Sequence, residues 1–99
     1  MVEDQKQTMR VVLDEKVSQG EYVNFANIIH SPSEFVLDFG RIMPGRPEAK
    51  VYSRIVTSPQ HAKQFLQALA QNVALYEQKF GQIQIFIAPP ELAPDEPSN

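Results

Sequence analysis

A chain of 99 residues makes one domain, and a domain of that size buries only ~60–70% of the surface its unfolded form exposes. Its acidic balance (net charge −3, pI near 5.3) argues against sequence-independent binding of nucleic acid, which needs a basic patch to displace counterions from phosphate. The absence of cysteine excludes a disulfide framework, a thiolate metal site and a cysteine nucleophile. The polar start MVEDQKQT and the lack of any apolar run near ~20 residues point to the cytoplasm and away from a membrane.

Residues 1–8 read as a disordered N-terminus, with one folded domain over residues 9–87. Met9 to Leu13 (MRVVL) is short, apolar and β-branched, which predicts a first strand. Asp14 to Glu21 has room for one helical turn, with Gly20 as the turn residue. Tyr22 to His30 alternates, setting Val23, Phe25, Asn27 and Ile29 against Tyr22, Asn24, Ala26, Ile28 and His30. Ser31-Pro32-Ser33 then predicts a hairpin turn, because proline presets the first central position and removes a ladder donor.

Glu34 to Met43 is the clearest strand. Phe35, Leu37, Phe39, Arg41 and Met43 lie on one face, and Val36, Asp38, Gly40 and Ile42 on the other. Gly40 inside it signals the close approach of another backbone, a bulge or a packed aromatic. Pro44-Gly45-Arg46-Pro47 is a second turn. Ala49 to Thr57 follows, with Val51, Ser53 and Ile55 opposite Lys50, Tyr52, Arg54 and Val56. Three runs joined by short proline-bearing turns predict an antiparallel meander, with Met9–Leu13 as its fourth strand.

The period then changes. Ser58 is suited to cap a helix and Pro59 to open it, because the first turn needs no N–H from that position. Ala62, Leu66, Leu69, Val73, Tyr76 and Phe80 are spaced 4, 3, 4, 3, 4, and Gly81 closes the pattern. The helix Pro59–Phe80 is thus amphipathic and about 33 Å long at ~1.5 Å per residue. Gln82 to Ile87 alternates and could add a short C-terminal strand. Residues 88–99, with four prolines and three acids, read as a disordered tail. The fold class is α+β: a meander of about four strands, then one long helix.

No glycine-rich phosphate loop, nucleophile elbow or zinc-protease motif occurs. His30 and His61 read as exposed polar residues and not as metal ligands; no metal or cofactor is expected, and no enzyme. Asp38 lies in the most apolar strand, where a carboxylate needs a partner. If the Pro44–Pro47 turn centres the hairpin, Arg54 falls opposite it, which predicts a cross-strand ion pair. The alternative is a polar recognition spot made of Asp38, Arg41 and Arg54, with Arg46 exposed on the turn. Lys50, Arg54 and Arg46 are the cations a nucleic acid would use, against the overall charge.

The helix stripe suits packing on the chain's own sheet. Its 4-3 spacing equally suits a seam against a second copy. Leu66, Leu69, Val73, Tyr76 and Phe80, joined by Ile83, Ile85 and Ile87, are the expected interface of a homodimer or larger assembly. A non-enzymatic, protein-binding module is the leading functional expectation.

YVNFANIIHSPSEFVLDFGRIMPG (Tyr22–Gly45), AKVYSRIVTSPQHAK (Ala49–Lys63) and the YEQKFG end of the helix (Tyr76–Gly81) resemble a prokaryotic family known only as a domain of unknown function. That resemblance implies no activity and carries no functional residue across. The organisation, a meander followed by a long helix and FGQIQIFIAP, also resembles the export chaperone SecB. This implies a second function, a holdase for unfolded polypeptides.

Overall fold

The structure, a computed structural model, describes residues 8–85. The predicted disordered ends lie almost wholly outside that range; Thr8 alone of residues 1–8 lies inside it, as do Gln82–Ile85 of the C-terminal segment. The described elements are a helical turn α1 (Glu15–Ser18), strands β1 (Phe25–His30), β2 (Phe35–Ile42) and β3 (Ala49–Thr57), and helix α2 (Pro59–Phe80). The strands form one antiparallel sheet in the order β1-β2-β3. The chain divides into two compact units, Met1–Ala62 and Lys63–Asn99.

Two predicted strands are corrected. Met9–Leu13 forms no strand, and its apolar side chains are exposed, Val11 at 89%. β propensity describes how well a residue fits a pleated surface, and without a neighbouring ladder it makes no strand. Gln82–Ile85 is likewise not a strand. It is tied back to the helix end instead, where the Ile83 N–H donates to Glu77 Oε2 at 2.9 Å. Phe86 and Ile87 lie outside the described residues.

Turn chemistry sets the meander. At Ser31–Glu34 the Ser31 N–H donates to the Glu34 carbonyl at 2.9 Å, while the Ser31 hydroxyl accepts from the Ser33 and Glu34 N–H groups. At Met43–Arg46 the Arg46 N–H donates to the Met43 carbonyl at 3.2 Å. Gly45 holds φ +80°, the geometry that the third residue of a Pro-Gly type II turn requires. The β1–β2 ladder runs past its last paired residue through Asn24. Its main-chain N–H donates to the Gly40 carbonyl, and its side-chain amide both accepts from the Ile42 N–H (2.8 Å) and donates to the Ile42 carbonyl (3.2 Å).

β2 and β3 pair in register from Phe35↔Thr57 to Phe39↔Ser53, then slip so that Gly40 faces Val51. Tyr52 is the extra residue of a β-bulge. A Cβ on Gly40 would meet the Lys50 carbonyl group and lie 2.9 Å from Val51 Cα, so only glycine admits the two backbones this close. The slip corrects the predicted faces of β3. Ser53, Ile55 and Thr57 share the face of Phe35, Leu37 and Phe39, whereas Val51 moves to the face of Asp38, Arg54 and Val56. Alternation along β3 alone cannot locate the bulge, because the inserted residue is defined by its partner strand.

α2 has the predicted bounds. The Ser58 hydroxyl accepts from the His61 N–H at 3.1 Å and the Ser58 carbonyl from the Ala62 N–H at 2.9 Å; the Gly81 N–H donates to the Glu77 carbonyl at 3.0 Å. Lys79 stands in the last turn, where the helix dipole favours a cation. No described apolar residue of the chain is buried; the one buried polar or charged residue among them is Asp38.

Gly40→Ala should destabilise the fold by roughly 2–3 kcal/mol or more, since β2 and β3 must separate or lose the bulge. Urea unfolding at matched chain concentration checks this; a change of a few tenths of a kcal/mol would show that the close approach is dispensable.

Candidate functional site

β2 carries polar groups to both faces of the sheet. Asp38 stands between Asn27 of β1 and Arg54 of β3 on one face. Arg54 Nε donates to Asp38 Oδ1 at 2.7 Å and Nη2 to Oδ2 at 2.8 Å, a bidentate pair that occupies both carboxylate oxygens. The predicted ion pair is therefore present. Asp38 is 5% exposed and the Arg54 side chain 64%, so the carboxylate is sheltered while the guanidinium stays hydrated. The hydrogen bonds from Arg54, aided by its charge, hold the Asp38 carboxyl below the usual carboxylate range against the opposing effect of burial.

The other face carries a different group at the β2–β3 turn. Arg41 and Lys50 are direct cross-strand partners, an arrangement of like charges that costs stability unless it is compensated. Arg41 is partly committed: Nε donates to the Tyr22 carbonyl at 2.8 Å, and Nη2 reaches Glu21 Oε2 at 3.3 Å. Tyr52, pushed out by the bulge, presents its ring to both cations, with Arg41 Cζ at 5.0 Å and Lys50 Nζ at 5.3 Å from the centroid. Around them lies an open concavity of about 540 Å³, lined by Arg41, Met43, Arg46, Glu48, Ala49, Lys50 and Tyr52.

The structure thus divides the predicted polar spot. Asp38 and Arg54 pair with each other, and Arg41 and Arg46 line the concavity beside Lys50. Arg54 is thereby separated from Lys50 and Arg46, its companions in the nucleic-acid reading. Tyr52 and Glu21 were not singled out from sequence. The signal for Tyr52 was Gly40, because a bulge across from that glycine re-aims one side chain of β3. On α2, Leu66, Leu69, Val73, Tyr76 and Phe80 are exposed, with the Tyr76 and Phe80 rings 4.8 Å apart. Ile83 and Ile85 are also exposed, and Ile87 lies outside the described residues.

Among the described residues no three histidine, cysteine or acidic side chains could hold a metal ion together, and no described helix is long and apolar enough to cross a membrane. The profile of a family described as "protein of unknown function (DUF3467)" matches residues 1–85. The chain belongs to this family. Membership in DUF3467 agrees with the expected resemblance to a family of unknown function, and the family's description assigns no activity. No curated protein and no solved structure matches the chain, so the organisational likeness to SecB gains no support.

A carboxyl held below its ordinary range contributes stability above its unfolded pKa of about 3.9, and that contribution is lost as pH falls through the folded value. The wild-type chain should therefore lose stability below about pH 4 in part through Asp38. Asp38→Asn should be less stable at pH 7 and should fall less steeply in acid. Thermal melts from pH 7 to pH 2.5 check this, and parallel curves for the two chains would remove Asp38 from the acid response.

Proposed function

We propose that the chain acts as a non-enzymatic interaction module whose working form is a homo-oligomer. One observation carries this reading: no described apolar side chain is buried, and Leu66, Leu69 and Phe80 are each exposed by 64–65%. Burial of apolar surface is the main favourable force in folding, and net stability is only ~5–15 kcal/mol, so a fold whose described residues bury no apolar side chain needs its surface covered.

A second copy fits the α2 stripe. When two such helices run antiparallel and the central positions are matched, Leu69 meets Val73 of the other copy and Leu66 meets Tyr76. Small Ala62 then meets large Phe80. The same alignment sets Lys63 near Glu77 of the other copy, once at each end, so charge as well as volume is self-complementary. Transferring these half-exposed side chains is worth several kcal/mol per copy at ~1.5–3 kcal/mol per fully buried side chain, comparable with the stability of the whole domain.

Light scattering at micromolar concentration should give twice the 11.2 kDa chain mass or a higher multiple. Leu69→Glu should dissociate the assembly or unfold the chain. A stable monomer in the wild type would sink the proposal, and a folded, still-associated Leu69→Glu would move the seam off α2. Stoichiometric capture of a reduced, unfolded polypeptide by the isolated wild-type monomer would favour the holdase reading instead.

A further inference from the structure

We propose that the concavity at the β2–β3 turn binds a terminal phosphate group. Three cations line it, Arg41, Arg46 and Lys50, in a protein whose overall charge is negative. Arg41 is held in place by the Tyr22 carbonyl and Glu21, which leaves its second terminal nitrogen unused by either contact. Arg46 and Lys50 hold no carboxylate among the described residues, where the ion pairs are Arg41–Glu21 and Arg54–Asp38.

The fold places like charges opposite one another at Arg41 and Lys50 and sets a third cation on the adjoining turn. An anion seated between them would relieve that repulsion, which is a physical reason for the site to be filled. The charge of the lining favours a multiply charged anion. A phosphate monoester has three terminal oxygens and about −1.5 to −2 charges at neutral pH, one oxygen for each cation, whereas a carboxylate has two oxygens and a single charge. The volume of about 540 Å³ falls within the roughly 300–1,000 Å³ of small-ligand sites, so the group that carries the phosphate has room beside Tyr52. Glu48 is the one carboxylate in the lining, and it opposes the anion. The bulge builds the site, because it brings the Tyr52 ring alongside the Arg41–Lys50 pair.

The test is an amide NMR titration of the full chain at pH 7.5 and constant ionic strength, first with inorganic phosphate and then with acetate. Saturable shifts at Arg46, Lys50 and Tyr52 are expected with phosphate, and much weaker ones with acetate. The double substitution Arg46→Gln with Lys50→Gln, both exposed positions, should weaken binding about tenfold or more through loss of two charge-assisted contacts. Glu48→Gln should tighten it.

Ribose 5-phosphate and a 5′-phosphorylated tetranucleotide separate the two sources of the group. Tighter binding of the first assigns a small phosphorylated molecule and of the second a nucleic-acid end, and either supports the proposal. Equal shifts with acetate, unchanged affinity in the double variant, or equal binding of the tetranucleotide without its 5′-phosphate would overturn it.

Discussion

The close approach of Gly40 to the Lys50 carbonyl governs the rest of the sheet. It is a contact between two backbones, and the missing Cβ at residue 40 is what permits it. From it follows the slip between Phe39↔Ser53 and Gly40↔Val51, and from the slip the exclusion of Tyr52 from the ladder. Residues on the two sides of the bulge then answer to different phases. Towards the first hairpin, Arg54 stays in phase with Asp38 and closes the bidentate pair. Towards the second, Lys50 falls in phase with Arg41, and Tyr52 is free to cover both. One glycine therefore separates a self-satisfied polar pair from a cluster with charge to spare.

Those two polar groups differ in what they ask of their surroundings. Asp38 is sheltered and both of its oxygens are used, so its contribution is to specify the pairing of β2 with β3. A ligand would have to break that pair to use it. The cations at the turn have the opposite balance, since one carboxylate and one aromatic ring compensate Arg41 and Lys50 only in part. Burial and saturation tie Asp38 to the pairing of the strands, whereas the exposed turn cations keep residual charge.

The apolar surface imposes a separate constraint. Sheet residues such as Ile28, Ile55 and Val56 and the helix stripe through Phe80 are all substantially exposed. Exposed apolar residues scattered singly are ordinary, but a stripe about four turns long is a surface that seeks cover. The antiparallel pairing proposed for α2 would answer this with a second copy of the same chain, because its centre lies between Leu69 and Val73 and its ends exchange small for large and Lys63 for Glu77.

Much of this was legible in the residues themselves. Pro32, Pro44-Gly45, Ser58-Pro59 and Gly81 act on their own neighbourhoods, and the turns and the bounds of α2 followed from them. The Asp38–Arg54 pair was legible too, because a short turn between two strands counts residues across the hairpin with little freedom. Arg41 and Arg46 could be named as candidates, but Tyr52 could not join them. Its place depends on a one-residue slip between strands, and such a slip reverses faces without changing either strand's composition. The Met9–Leu13 and Gln82–Ile85 segments fail for the same kind of reason: alternation and β-branching make a strand eligible, and only a neighbouring ladder makes it one. Local conformational preference is written residue by residue, whereas register and pairing belong to two segments at once, and tertiary structure decides them.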